Sequence, residues 1–270
     1  MSQPDAGIFA AVDPEIITAI DNRAGEIAQG ASVSPKIAAL LALGSVPVAL
    51  GALARDVYGQ APADVVDALQ FALLLEYLEA DFYSRGIAAT GLILPTDVAV
   101  FTTISAHEAA HVSALQTLIQ GKGSTPNAKP TFDFTAKGAL PGFAFAVGQY
   151  TTFTMLAQGF EDLGVRAYKG QIGRLINDKA VLTAALTIHS VEARHAAEVR
   201  RLRGKKAWIS TNSRDDLPAL LQGIYDGEEN GTQAGVSVIP FAGTDSTSAT
   251  EAFDEPLTMA QVLPILTPFL

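Results

Sequence analysis

The stretch LEYLEADFY at residues 75–83 is followed by HEAAH at residues 107–111, and the second half of the chain repeats this arrangement with FEDLGVRAY at residues 160–168 and VEARH at residues 191–195. In each half a glutamate lies in an apolar helical run, a tyrosine follows it seven residues later, and a Glu-x-x-His motif comes next. The spacing suits a helix, a loop and half of a returning helix. It predicts a duplicated helical hairpin, and hence an all-α four-helix bundle.

The glutamates and histidines of these motifs are candidate metal ligands. Residues three apart share one helix face, so each Glu-x-x-His presents an oxygen and a nitrogen in the same direction and can hold one cation. The predicted ligands are Glu76, Glu108, His111, Glu161, Glu192 and His195. One glutamate from each of two helices and a Glu-x-x-His from each of the other two is the ligand set described for di-iron and di-manganese carboxylate proteins.

Two tyrosines are predicted to support these ligands. Tyr83 and Tyr168 follow Glu76 and Glu161 by two helical turns, on the same stripe of their helices. Each tyrosine is therefore within reach of a hydrogen bond to a ligand carboxylate.

Three further polar residues lie beside the motifs. Glu79 is interpreted as a solvated carboxylate, or as one that supports the ligands without binding metal. His189 lies on the face of Glu192, where a hydrogen-bonded supporting role is favoured over a role as an extra ligand or proton carrier. His107 points about 100° away from Glu108 around the helix, so a surface or capping role is predicted for it.

The chain resembles the ferritin-like superfamily, and specifically the bacterial and plant desiccation-related ferritin-like proteins. The resemblance is carried by FALLLEYLEADFY, HEAAHVSAL, FEDLGVRAYKG, IHSVEARHAAEVR and the tail motif EAFDEPLT, and it runs from about residue 62 to the C-terminus. It implies a stress-related protein with two metal ions per chain, iron or manganese. The family's best-studied members oxidise ferrous iron or handle peroxide at such a centre.

The length and composition of the chain limit the number of domains, the kinds of partner and the types of metal site that are possible. The 270 residues exceed one bundle of roughly 150 and can form one domain with appendages. A net charge of −10, from 28 acidic and 18 basic residues, disfavours nucleic acid as a partner. Because there is no cysteine, disulfides and thiolate metal sites are excluded. Carboxylate, imidazole or water would have to hold a metal ion.

The predicted parts of the chain are an N-terminal extension at residues 1–61, the four-helix bundle at residues 62–204 and a C-terminal extension at residues 205–270. Residues 205–256 are rich in Gly, Ser, Thr, Asn and Asp, which predicts irregular structure. The tail after them predicts a short apolar helix that opens with a capping pattern at Thr258.

The four bundle helices are predicted at residues 63–89, 96–120, 140–170 and 178–203. The connector between the second and third helices, residues 121–139, is long for a simple turn and fits the crossover of ferritin-like folds. Phe143 and Phe145 are placed in a bulky apolar start of the third helix, and Gly170 and Gly173 are expected to bend or end it.

Residues 37–54 form an apolar run without a charge, and three interpretations of it stay open. A secretory signal fits Lys36 ahead of the run and its Ala-Leu-Ala end, and would favour an extracytoplasmic location over the cytoplasm. A transmembrane helix fits the length, although Gly44, Pro47 and Gly51 interrupt it. A retained segment would pack against the bundle or a neighbouring subunit.

Two functions agree with these features. The first is a dimetal oxidoreductase, with ferroxidase or peroxide-removing activity and oxygen or peroxide as the partner of the metal ions. The second is a non-catalytic scaffold of the envelope or the extracellular space. In both, the N-terminal and C-terminal apolar segments predict a homo-oligomer, and contact with a membrane stays open.

Overall fold

The structure is a computed structural model that describes residues 65–140, 142–233, 236–239 and 246–270. The apolar run at residues 37–54 lies outside these ranges. Among the helices within them, none combines the length and the apolar character needed to cross a membrane.

Four long helices dominate the described chain. They are α1 (Val65–Ala88), α2 (Val98–Gly121), α3 (Tyr150–Leu175) and α4 (Lys179–Leu202). α1 packs along α2, α3 packs along α4, and α1 also contacts α3. This arrangement confirms the predicted all-α four-helix bundle.

Hydrogen bonds across the bundle give the helix directions. Tyr83 of α1 bonds to Glu161 of α3, while Tyr168, later in α3, bonds to Glu76, earlier in α1. The two helices are therefore antiparallel. Since α1 and α2 also form an antiparallel hairpin, α2 and α3 run the same way. The connector at residues 122–149 has to return along the whole bundle, as the predicted crossover does.

The third helix begins ten residues later than predicted, at Tyr150. Phe143 and Phe145 belong to the connector, whose backbone takes positive φ angles of 83° at Gly142, 50° at Phe145 and 86° at Gly148. No α-helix accommodates such angles. Phe143 is nevertheless buried. The apolar pattern therefore predicted its burial correctly but its helical conformation incorrectly.

α3 also continues through Gly170 to Leu175 instead of ending there. The backbone of the C-terminal extension lies directly against this glycine, because a Cβ at residue 170 would lie 1.9 Å from the carbonyl oxygen of Leu257. The amide of Leu257 donates to the carbonyl of Arg166 at 3.0 Å. The glycine therefore serves a close backbone contact, not a bend.

The C-terminal extension wraps the bundle with short elements. They are a 3₁₀ helix (Ala219–Ile224), β1 (Thr232–Gln233), β2 (Val236–Ser237), α5 (Ser246–Thr250), α6 (Met259–Leu266) and a final 3₁₀ helix (Thr267–Phe269). β1 and β2 pair antiparallel, with Thr232 opposite Ser237. The predicted capping box of Thr258 and Gln261 opens α6.

The apolar tail buries itself against its own bundle. Val262 and Leu266 of α6 are buried, and the ring of Phe269 lies 5.1 Å from that of Phe160 in α3. This face of the tail is thus used within the chain. Assembly through the terminal segments stays a prediction.

Two fully buried arginines fasten the extension to the bundle. Arg166 of α3 pairs with Glu228 at 2.7 Å and donates to the carbonyl oxygen of Glu255 at 2.7 Å. Arg200 of α4 binds Asp162 through two nitrogens, at 2.6 and 3.0 Å, and reaches the carbonyl oxygen of Trp208 at 3.1 Å. The extension is therefore held by hydrogen bonds and ion pairs of two buried charged side chains.

Candidate metal centre

The six residues that the motifs single out meet at mid-height of the bundle. The four glutamates, one on each long helix, are fully buried, and His111 and His195 are 8% and 5% exposed. Leu73, Leu78, Ile104 and Leu163, on the same helices as the candidate ligands, belong to the buried apolar core. Four carboxylates in such a position cost several kcal/mol each unless something compensates their charge.

The ligand atoms fall into two overlapping groups, each within a span of 4.8 Å. One group joins Glu76, Glu108, His111 and Glu192, and the other joins Glu108, Glu161, Glu192 and His195. Glu108 and Glu192 belong to both groups, so they lie where the two groups overlap. The remaining glutamate and histidine of each group belong to that group only.

His111 shows why a cation suits the first group. Its Nδ1 lies 3.1 Å from Glu76 Oε2, 3.1 Å from Glu108 Oε2 and 3.0 Å from Glu192 Oε1. A single N–H cannot serve three carboxylate oxygens, whereas a cation at their centre can bind all four atoms.

The second group leaves buried atoms without hydrogen bonds. Nδ1 of His195 lies 2.8 Å from Glu108 Oε1 and 3.4 Å from Glu161 Oε2, yet none of these three atoms makes a hydrogen bond with the described residues. Both oxygens of Glu192 are also buried without one. Buried polar atoms normally have a partner, so these atoms point to a common ligand.

The tyrosines support the ligands crosswise. The hydroxyl of Tyr168 donates to Glu76 at 2.5 Å, and that of Tyr83 donates to Glu161. Burial, together with the nearby glutamates, raises the pKa of both tyrosines well above the usual value, so both stay protonated as donors. The predicted reach to a ligand carboxylate is present, but each tyrosine serves the glutamate of the other half.

Glu79 is buried, at 2% exposure, and not solvated. It lies outside both ligand groups. A Cβ at Gly164 would lie 3.3 Å from Glu79 Oε1 and 3.2 Å from Glu192 Oε2. Both carboxylates therefore lie close to the α3 backbone at this glycine. Burial and the charge of Glu192 raise the pKa of Glu79 well above its usual range.

The remaining two histidines lie outside both ligand groups. His189 does not join the ligands, and its Nδ1 is buried without a hydrogen bond to the described residues. His107 is exposed, as predicted, but its Nδ1 also lies 2.9 Å from Nε2 of His195. Helix geometry alone could not show this contact, because it joins α2 to α4.

The electrostatics of the carboxyl groups reflect their crowding. Burial raises the pKa of Glu76 to about 8 and raises the pKa of Glu161 and Glu192 as well. Burial acts in the same direction on Glu108, but the hydrogen bond with His111 and the contact with His195 lower its pKa to about 2. The centre therefore retains protons on some carboxyl groups when no cation replaces them.

The histidines respond in the opposite way. Burial lowers the pKa of an imidazole, but the carboxylates around His111 outweigh it and raise the pKa to about 12. For His195 burial is likewise outweighed, chiefly by the charge of Glu161 and the contact with Glu108, and the pKa rises to about 10. Positive charge is thus strongly favoured at this point of the bundle.

The donor set suits hard or borderline divalent cations. Carboxylate oxygens and imidazole nitrogens suit iron and manganese, and no thiolate is present in the chain. The two buried arginines pair with Asp162 and Glu228, so they do not neutralise the centre. The buried acidic and histidine cluster is compatible with a metal site.

Comparison with known protein families gives a match. The family model described as ferritin-like domain matches residues 64–205, which include all four long helices and all six candidate ligands. No curated protein and no solved structure matches the chain.

Proposed function

Because the chain belongs to the ferritin-like domain family, we propose that its bundle binds two iron or manganese ions and acts as a dimetal oxidoreductase on ferrous iron or peroxide. The observation that carries this proposal is the convergence of buried ligand atoms in two overlapping groups, where several of these atoms make no hydrogen bond with the described residues. A polar network built only for stability would pair these atoms with each other or with water.

Each residue has a distinct part in this proposal. Glu76 and His111 would hold one cation, Glu161 and His195 would hold the other, and both cations would share Glu108 and Glu192. Two divalent cations balance the charge of these four carboxylates. The stress-related role of the desiccation-related branch belongs to the same proposal, and its support is the sequence motifs alone.

Iron or manganese in such a site supplies a change of valence and a coordination position for oxygen or peroxide. The chain supplies the surroundings. Tyr83 and Tyr168 orient Glu161 and Glu76, and the apolar core keeps bulk water from the carboxylates. The histidines are the ligands nearest the surface, which places the shortest route from solvent between α2 and α4.

Metal analysis combined with ferrous-oxidation and peroxide assays tests the function. Glu108→Gln removes a shared ligand while keeping the side-chain volume. Glu198→Gln, on the partly exposed Arg201 pair of α4, is the matched control. We expect metal and turnover in the wild type and control, and loss of both in Glu108→Gln.

Bound metal without turnover in the wild type would favour the non-catalytic scaffold. In that case the size of the particle formed by the full chain, compared with a chain that lacks residues 1–54, tests assembly. An unchanged size would count against the N-terminal segment as an interface.

A further inference from the structure

His107 contacts a candidate ligand from outside the ligand groups. Its Nδ1 lies 2.9 Å from Nε2 of His195, and the two rings are nearly parallel and meet edge to edge, with centroids 5.2 Å apart and an interplanar angle of 12°. The other ring nitrogen of His195, Nδ1, faces Glu108 and Glu161. His195 is thus held on both sides.

The two sides of His195 require different protonation. A ring nitrogen that binds a metal ion carries no proton, so in the loaded site the proton of His195 lies on Nε2. Nδ1 of His107 is the acceptor within reach of that N–H. When a histidine binds a metal ion through one nitrogen and donates a hydrogen bond from the other, its tautomer and ring orientation are defined. It then binds the metal ion more strongly.

The other half of the chain has no equivalent. His107 directly precedes Glu108, whereas Val191 directly precedes Glu192 at the corresponding place of the repeat. A valine side chain cannot accept a hydrogen bond. The contacts that His111 makes with charged groups of the described chain all use Nδ1. The duplication is therefore broken at this position beside the centre.

We propose that His107 is a positioning residue that orients His195 and thereby strengthens only the cation site of Glu161 and His195. The two sites of the centre are then unequal in affinity. This inference rests on the proposed function, because it concerns the same centre. His107 itself touches no reacting atom, and it acts through the ligand.

Titration calorimetry with Mn²⁺ measures the effect without an activity assay. His107→Phe keeps an aromatic ring beside His195 but lacks the acceptor, and His107→Asn offers an amide oxygen near the position of Nδ1. Ser113→Ala, another exposed position of α2, is the control. We expect His107→Phe to weaken one of two sites by about 10- to 100-fold, with the other site unchanged and His107→Asn recovering most of the loss.

A second readout follows the proton. In protein loaded with Zn²⁺, which is diamagnetic, the Nε2–H of His195 should give an imidazole signal that is slow to exchange in the wild type and lost in His107→Phe. A merely structural role of His107 predicts no such change.

The outcomes separate the inference from the function. Two Mn²⁺ sites with the same constants in wild type and His107→Phe would overturn the positioning role and leave the function standing. Equal weakening of both sites would also overturn it. A wild type without any Mn²⁺ or Fe²⁺ site would overturn the proposed function, and the inference with it.

Discussion

The hydroxyl of Tyr168 donates a 2.5 Å hydrogen bond to Glu76, which belongs to the opposite half of the duplicated chain. The reverse bond joins Tyr83 to Glu161. Each helical hairpin therefore completes the centre of the other, and the two halves are joined where the candidate ligands lie. Neither half could build this arrangement alone.

Tyr168→Phe should weaken cation binding at the site of Glu76 and His111. Removing the donor frees the ligand carboxylate to rotate and leaves one of its buried oxygens unpaired, at a cost of about 1–3 kcal/mol in the free energy of unfolding. We expect a loss of about 10- to 100-fold in Mn²⁺ affinity at one site. Tyr150→Phe, whose hydroxyl bonds to Asp97 away from the centre, is the control. Unchanged constants in Tyr168→Phe would contradict the supporting role.

Cation binding should release protons, and the affinity should rise with pH. Without a cation the pKa values of His111, His195 and Glu76 are about 12, 10 and 8, so all three groups are largely protonated at neutral pH. A ligand atom must lose its proton before it binds metal, so each higher pH lowers that cost. Calorimetry in buffers of different ionisation enthalpy counts the released protons. An affinity that is constant between about pH 6 and 8 would argue against these ligands.

Arg166→Met should destabilise the fold by about 3–5 kcal/mol, because it leaves Glu228 buried without its partner. The C-terminal extension loses its anchor in α3 at the same time. Arg201→Met removes an exposed ion pair with Glu198 and should cost less than about 1 kcal/mol. Urea denaturation of both variants gives the comparison. Equal midpoints would mean that the buried pair does not hold the extension.

Gly170→Ala should also destabilise the protein, since its Cβ would collide with the backbone of Leu257. Overpacking of this kind costs about 1–3 kcal/mol, and more where backbone must move. Gly121→Ala in α2 has open space around the new methyl group and should be neutral or slightly stabilising. Thermal unfolding of the pair tests the close contact. A Gly170→Ala variant as stable as Gly121→Ala would place the extension elsewhere.

Helical spacing was sufficient to predict the bundle and to choose the residues that converge. Apolar runs with Glu and His at fixed intervals leave few ways to bury both the leucines and the carboxylates. Helical spacing could not predict contacts between residues that are far apart in the sequence. The buried pair of Arg166 and Glu228 joins α3 to a distant, irregular part of the chain, and that of Arg200 and Asp162 joins α4 to α3. No local pattern marks either pair.

Local sequence patterns also gave a wrong prediction where residues are buried but not helical. The aromatic run ahead of Tyr150 has the apolar content of a helix start, but its backbone turns through positive φ angles while burying Phe143. The role of His107 was hidden for a different reason. Its position around α2 predicts an exposed side chain. Its contact with His195 depends on how α4 packs beside α2, which no local pattern shows.

Elemental analysis of the full chain, loaded with Fe²⁺ without oxygen and freed of excess metal, tests the central claim most directly. The wild type should retain about two metal ions per chain, and a Glu108→Gln/Glu192→Gln double variant should retain almost none while keeping its helical content. A wild type without bound metal, or a double variant that binds as much as the wild type, would contradict a cation pair shared by these carboxylates.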